Sequence, residues 1–140
     1  MVQPLPTQVC GFANAPCILV VEDEPLVRRA AVEFLEKVGF RVVEATDAHQ
    51  ALALLESGSS AVDLVFSDIQ MPGGPGGCDL ARWVRDNRPG VPVILTSGRV
   101  RDDVLVGDLE QFAPIEPKPC RGERLARRMR AVPGCSSATI

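Results

Sequence analysis

The chain has 140 residues, a formal net charge of −3 at pH 7, and a composition that is 46% hydrophobic but only 4% aromatic. This length fits one domain with a substantial core, and a core of Val, Leu, Ile and Ala is typical of a parallel sheet flanked by helices. The slight acidity argues against nucleic acid as a direct partner, and no apolar run approaches the roughly 18 to 20 residues of a membrane span.

The chain begins with an irregular segment and a buried strand that ends in acids. Residues 1–16 contain three prolines and no periodic pattern, which predicts a flexible N-terminal tail. Residues 17–21 are wholly apolar and predict a central strand. This strand runs directly into Glu22, Asp23 and Glu24. Three acids at the end of a buried strand are costly to place unless they serve a function.

An amphipathic helix is predicted next. Pro25 suits the first helical position, where its missing N–H costs nothing, and Gly39 suits the position just after the last turn. Between them, apolar residues recur at the spacing of one helical face, which we expect to lie against the core. This predicted stripe consists of Val27, Ala30, Ala31, Phe34, Leu35 and Val38.

A second strand and a short helix follow. Residues 40–45 predict the strand, and Asp47 is a candidate N-cap for a helix that ends at Ser57 and Gly58. His49 lies off the apolar stripe of this helix, so we expect its side chain to face solvent.

The third predicted strand is an apolar run that ends at Ser67 and Asp68. Asp68 therefore lies where a strand leaves the sheet, and open parallel sheets bind their ligands outside the carboxyl ends of the strands. The glycine-rich residues 73–77 predict a flexible loop. Residues 79–87 then predict a helix that directs Trp83 into the core.

Two more strand–helix units complete the pattern. Residues 91–96 predict the fourth strand, which ends at Ser97, and residues 101–111 predict a weak helix. Residues 112–117 predict a short fifth strand, and residues 123–132 predict the last helix.

Strands and helices therefore alternate five times. Short connections and near-continuous apolar strands predict an α/β fold, in which helices cover both faces of a parallel sheet. No change in composition divides the chain, so we expect one domain over residues 17–132, followed by a C-terminal tail over residues 133–140.

Polar groups follow four of the five predicted strands: Glu22 and Asp23, Asp68, Ser97 and Lys118. The carboxyl ends of parallel strands meet at one edge of a sheet, so we expect these side chains to lie close together. Three crowded carboxylates repel one another, and such a site either raises a carboxyl pKa or recruits a cation. Oxygen ligands without His or Cys favour Mg²⁺ over Zn²⁺.

This set of groups is equipped to accept a phosphoryl group. The carboxylate would attack in line, and the metal ion and the ammonium group would neutralise charge on the phosphoryl oxygens. The hydroxyl group would then hydrogen-bond to a phosphoryl oxygen.

The cysteines indicate a reducing environment. Their number is odd, and no pair has the C-x-x-C spacing of a zinc or redox site, so we interpret them as the reduced thiols of a cytoplasmic protein. They are Cys10, Cys17, Cys78, Cys120 and Cys135.

The chain resembles the receiver domain of bacterial two-component response regulators, from residue 17 to residue 132. Four motifs carry the resemblance: I-L-V-V-E-D-E-P, F-S-D-I-Q-M-P, V-P-V-I-L-T-S-G and P-K-P. The resemblance implies a flavodoxin-like (βα)5 fold, a doubly wound parallel sheet with strand order 2-1-3-4-5.

The resemblance also implies roles for the acids. Asp68 would be the residue that a histidine kinase phosphorylates. Asp23, Asp68 and the backbone carbonyl of Gln70 would bind Mg²⁺ directly, and Glu22 would act through water.

The resemblance also implies roles for Lys118 and Ser97, and the chain differs from the usual family pattern at three places. Lys118 would contact the phosphoryl group, and Ser97 would be the switch hydroxyl. Ile115 stands where family members usually carry an aromatic residue, and Gly98-Arg99 replaces the commoner pair after the switch hydroxyl. The loop after the third strand is also one residue longer than usual and rich in glycine.

The expected function is that of a stand-alone response regulator, phosphorylated by a sensor histidine kinase or a phosphotransfer protein and acting through contacts with an unknown downstream protein. We expect a monomer or weak homodimer that is not an enzyme beyond self-catalysed phosphotransfer and dephosphorylation. Alternatives are a receiver segment of a hybrid histidine kinase, a phosphate sink in a relay, or a docking module that is not phosphorylated. A Mg²⁺-dependent phosphatase of the dehalogenase type is remote, because such enzymes need a second acid where this chain has Gln70.

Overall fold

The computed structural model describes residues 15–58, 61–71, 74–97 and 115–117, together with residues 127, 129 and 130. Its centre is a five-stranded parallel sheet with the order β2-β1-β3-β4-β5. The strands are β1 (Cys17–Val21), β2 (Arg41–Ala45), β3 (Leu64–Asp68), β4 (Val93–Ser97) and β5 (Ile115–Pro117). This order confirms the doubly wound fold that the sequence predicted.

Three helices are fully described: α1 (Pro25–Lys37), α2 (Ala48–Ser57) and α3 (Gly77–Asn87). Arg127, Met129 and Arg130 are also helical and lie within the predicted last helix. The predicted helix over residues 101–111 lies outside the described residues, as do residues 1–14 and 133–140 of the predicted tails. Within the described part of the chain, no helix has the length and apolar character needed to cross a bilayer.

The central strands β1, β3 and β4 are buried, which explains why they are almost wholly apolar, whereas the edge strand β2 exposes Arg41 and Glu44. Alternate residues of each strand point to opposite faces. Leu19 and Val65 pack in the cluster that contains residues of α2 and α3, whereas Ile18 and Leu64 pack with α1 and Met129 on the other face. The sheet is therefore the middle layer of three, as expected for strands without polar alternation.

The predicted ends of the first two helices are confirmed. The Asp47 carboxylate caps α2 by accepting a hydrogen bond from the Gln50 N–H at 2.9 Å. Gly58 follows α2 in the left-handed conformation, with φ of 65°, and Gly39 follows α1 with φ of 107°. His49 is exposed, as its position off the apolar stripe predicted.

The predicted apolar stripe of α1 is wrong at Val27 and Ala30. Val27 is 45% exposed and Ala30 is also exposed, whereas Val32, which the stripe omitted, is buried. Residues 23–27 are all exposed, so α1 begins beyond the buried core. Helical spacing predicts which residues share a face, but it does not reveal how far the covered surface extends.

Gly76 and Gly77, at the end of the glycine-rich loop after β3, allow two backbone segments to pack closely. α3 begins at Gly77, two residues before the predicted start, and the Gly77 N–H donates to the Ile69 carbonyl at 3.0 Å. A Cβ atom on Gly77 would overlap the Asp68 carbonyl oxygen and lie 2.9 Å from its carbon. A Cβ atom on Gly76 would lie 2.7 Å from the Ile69 carbonyl oxygen. The two glycines therefore let the start of α3 approach the backbone at the end of β3.

We expect Gly77→Ala to lower the free energy of unfolding by about 1 to 3 kcal/mol, because its methyl group must push two packed backbone segments apart. The matched control is Gly90→Ala, whose new methyl group would meet no atom within 4 Å. That variant should stay within about 0.5 kcal/mol of the parent chain. Urea unfolding measures both changes, and equal stability of the two variants would contradict the close approach.

The opposite, amino-terminal edge of the sheet is held by a polar network around Cys17. The Cys17 N–H donates to the Asp63 carboxylate at 2.8 Å, and the Asp63 N–H donates back to the Cys17 carbonyl at 2.8 Å. The Arg41 guanidinium donates to the Ala15 carbonyl at 2.8 Å. Burial raises the pKa of the Cys17 thiol; Arg41 opposes this shift and Asp63 adds to it.

This raised pKa predicts a loss of stability in alkali. Above the ordinary thiol pKa of 9.0, the unfolded chain releases the Cys17 proton while the folded chain keeps it. The unfolded state then binds fewer protons, so the free energy of unfolding falls as pH rises, by up to about 1.4 kcal/mol per pH unit. From about pH 8 to about pH 10, the parent chain should lose more stability than Cys17→Ala in urea unfolding. Parallel curves for the two proteins would contradict this assignment.

Candidate metal centre

Three acids converge at the carboxyl edge of the sheet. Glu22 and Asp23 directly follow β1, and Asp68 is the last residue of β3, the strand that pairs with β1. One carboxylate oxygen from each lies within 4.8 Å of the others. Glu22 and Asp68 are only 6% and 7% exposed, whereas Asp23 is exposed. The structure thus brings together the acids that the sequence predicted to be neighbours.

The Asp68 carboxylate is fixed by a local turn. Its Oδ1 accepts a hydrogen bond from the Gln70 N–H at 3.2 Å, the short-range pattern by which Asp side chains stabilise a turn. The Ile69 N–H donates to the Thr96 carbonyl at 3.1 Å, and the Ser67 hydroxyl donates to the Asp68 carbonyl at 3.0 Å. Backbone and side chain are therefore both held where the strand ends.

Glu22 is held from several directions. Its N–H donates to the Ala45 carbonyl at 3.1 Å, which extends the pairing of β1 with β2 by one bond. Its carboxylate accepts from the Glu24 N–H at 3.2 Å. Its carbonyl accepts from the Arg28 guanidinium at 2.9 Å, and the same guanidinium pairs with Glu44 at 3.1 Å.

Sequence reasoning missed Arg28 and Glu44. Both are charged residues on elements whose charges ordinarily face solvent, and no motif distinguished them from other surface residues. A signal was present: Arg28 lies one turn into the helix that follows the acids, and Glu44 lies near the carboxyl end of a predicted strand. Only their contacts reveal that this pair belongs to the acidic edge.

The remaining predicted site residues are only partly described. Ser97 ends β4 and pairs in register with Pro117 of β5, so its backbone lies at the same edge as the acids. The side chain of Ser97 and all of Lys118 lie outside the described residues. Gln70 is exposed two positions beyond Asp68, and its described contact to Asp68 uses its backbone N–H.

The donor set fits a hard divalent cation. Three carboxylates within 4.8 Å repel one another, and a divalent ion removes this repulsion. Their oxygens match the ligands that Mg²⁺ prefers, and the exposed Asp23 leaves room for the water ligands that Mg²⁺ usually retains. The same opening would admit an oxygen-rich substrate to the metal.

Comparison with known proteins gives a consistent result. The family model for the response regulator receiver domain matches residues 18–129. The sensor kinase CckA of Brucella abortus is 38% identical over 98 residues, which cover 69% of this chain and 10% of CckA. The transcriptional regulatory protein CpxR of Klebsiella pneumoniae is 35% identical over 116 residues, which cover 82% of this chain and 48% of CpxR. The chain thus spans about half or less of these two relatives.

Solved structures agree on the fold. The response regulator protein TrrA of Thermotoga maritima, solved in complex with Mg²⁺-BeF, superposes with a TM-score of 0.73 and 27% identity. The match covers 83% of this chain and 97% of the TrrA chain. The two chains thus share one fold over most of their lengths.

Removing one acid should have opposite effects with and without metal. In EDTA, Asp23→Asn should raise the melting temperature by about 3 °C, because it relieves repulsion among the three carboxylates. With Mg²⁺, the parent chain should gain stability by binding, and Asp23→Asn should gain much less. Calorimetry over a series of Mg²⁺ concentrations measures both effects.

Glu33→Gln is the matched control, because Glu33 is an exposed acid on α1 that is not one of the three clustered acids. This control should keep the full increase in melting temperature that Mg²⁺ produces. A full increase in Asp23→Asn as well would contradict a metal site at the three acids.

Proposed function

The chain belongs to the response regulator receiver domain family, and from this membership we propose that it is a phosphoacceptor in a two-component phosphorelay. Asp68 is the proposed acceptor. The observation that carries the proposal is the convergence of Glu22, Asp23 and Asp68 within 4.8 Å at the carboxyl edge of the sheet. An acceptor carboxylate must lie beside its metal ligands, and this edge meets that requirement.

Mg²⁺ is the proposed cofactor, and its contribution when bound is to neutralise negative charge on the phosphoryl oxygens. Asp23, Asp68 and the backbone carbonyl of Gln70 would hold it, with Glu22 acting through water. The TrrA structure, which contains Mg²⁺ and BeF, supports this choice of metal.

In the proposed transfer, one bond to phosphorus forms as another breaks. One carboxylate oxygen of Asp68 forms a bond to phosphorus while the bond from phosphorus to the donor atom breaks, and the donor leaves with that electron pair. The Gln70 N–H bond to Oδ1 restrains the carboxylate, so fewer rotations must be frozen during attack. Lys118 and Ser97 would then contact the phosphoryl oxygens.

The proposed donor is a sensor histidine kinase or a phosphotransfer protein, and the proposed output is a contact with a downstream protein in the cytoplasm. We propose no enzymatic role beyond self-catalysed phosphotransfer and dephosphorylation, no direct binding to nucleic acid, and a monomer or weak homodimer. The match to CckA keeps a receiver segment of a hybrid kinase as an alternative context, because only 10% of CckA is covered.

Incubation with acetyl phosphate and Mg²⁺ tests this function without a known kinase. The parent chain should gain the mass of one phosphoryl group, and EDTA should abolish the gain because the metal supports the transfer. Asp68→Asn should gain no mass, since an amide oxygen is a far weaker nucleophile than a carboxylate. Intact-mass spectrometry measures the result.

Asp86→Asn is the control, because Asp86 is an exposed aspartate at the end of α3 that pairs with Arg85. It should be phosphorylated like the parent chain. A parent chain that gains no mass with acetyl phosphate or with other small phosphoryl donors would refute the proposed function.

A further inference from the structure

We propose that Arg28 is a positioning residue for the candidate metal centre, an inference that rests on the proposed function. Its guanidinium ties the acid-bearing turn after β1 to the end of β2. Nη1 donates to the Glu22 carbonyl at 2.9 Å, and Nε pairs with Glu44 at 3.1 Å. Arg28 does not touch the metal in this proposal; it holds the backbone that carries Glu22 and Asp23.

The contact is suited to holding a backbone in place. The guanidinium is a rigid fork, and here two different nitrogens engage two acceptors on two different segments. The Arg28 side chain is only 17% exposed, whereas the Glu44 side chain is 42% exposed, so water screens the pair mainly at its Glu44 end. The first helical bond of α1, from the Arg28 N–H to the Glu24 carbonyl at 2.9 Å, fixes the base of the side chain.

Simple electrostatics makes the opposite prediction. Arg28 places a positive charge near three carboxylates, and this charge repels an incoming cation. If charge alone mattered, neutralising Arg28 would tighten Mg²⁺ binding. If positioning dominates, neutralising it weakens Mg²⁺ binding, because the turn must be ordered again when the metal binds. The sign of the change therefore separates the two roles.

The neighbouring Arg29 provides a matched control. It carries the same charge one residue further along α1, but its side chain is 65% exposed and it pairs with Glu33 at 3.6 Å within the same helix. This ion pair of Arg29 thus involves neither the acid-bearing turn nor β2. Neutralising Arg29 therefore reports the effect of removing one positive charge while the Arg28 contacts to Glu22 and Glu44 remain.

The experiment is a Mg²⁺ titration of the parent chain, Arg28→Gln and Arg29→Gln, followed through backbone amide chemical shifts well below the melting temperature. Arg28→Gln should weaken the Kd for Mg²⁺ about tenfold, the lower end of the effect seen for residues that orient metal ligands. Arg29→Gln should keep the parent Kd or bind slightly more tightly.

Two more variants test the tie itself. Arg28→Lys keeps the charge, but a single ammonium cannot reproduce the two-nitrogen fork, so its Kd should fall between those of the parent and Arg28→Gln. Glu44→Ala should weaken Mg²⁺ binding in the parent chain and have no further effect in Arg28→Gln, because the two residues act as one unit. Glu33→Ala should have the same effect in both backgrounds.

Phosphorylation by acetyl phosphate gives an independent measurement. In Arg28→Gln, the Mg²⁺ concentration for half-maximal rate should rise about tenfold, while the rate at saturating Mg²⁺ should stay near that of the parent. A residue that only stabilises the fold would lower the melting temperature and leave this concentration unchanged.

The outcomes separate this inference from the proposed function. An unchanged or tighter Kd in Arg28→Gln, with normal Mg²⁺ binding and phosphorylation in the parent chain, would overturn the positioning role alone. A parent chain that neither binds Mg²⁺ nor becomes phosphorylated would overturn the proposed function instead.

Discussion

Burial of the central strands on both faces is the constraint on which the rest of the structure depends. A strand covered on both sides has no solvent-facing positions, so polar side chains can leave it only at its ends. β1 gives way directly to Glu22, and in β3 only Ser67 separates the last apolar residue from Asp68; Glu22 and Asp68 remain almost fully buried there. The same layer architecture that excludes charge from the sheet therefore concentrates charge at one edge.

The three clustered carboxylates repel one another, so other contacts must offset this repulsion. Backbone donors do part of this: the Gln70 N–H binds the Asp68 carboxylate, and the Glu24 N–H binds the Glu22 carboxylate. Hydrogen bonds to a charged group stabilise more than neutral ones, so these contacts offset some of the cost of crowding. Arg28 adds a tie to the backbone of Glu22 from α1. The backbone of this edge is thus held by hydrogen bonds, and the three carboxylates lie close enough together to favour a divalent cation.

The start of α3 packs closely against the backbone at the end of β3. The helix begins two residues after Pro75, and its first residue, Gly77, lies against the backbone of Asp68 and Ile69. Glycine allows this approach because it has no Cβ atom. Composition alone predicted a flexible loop here, since the closeness of two backbones distant in sequence leaves no trace in the local pattern. The predicted helix start was late for the same reason.

Over the described residues, the sequence by itself determined the alternation of strands and helices, the order of elements and the identity of the three clustered acids, because apolar runs and strand-end polar residues are local patterns. It also predicted the caps at Asp47 and Gly58, which depend on neighbours in the chain. Only the tertiary structure decided that Val27 is exposed, that Gly77 touches Asp68, and that Arg28 of α1 reaches Glu44 of β2. The physical reason is the sequence separation of the interacting residues. Local patterns reflect the secondary structure and burial that a residue favours, whereas these three outcomes depend on which part of the chain, distant in sequence, packs beside it.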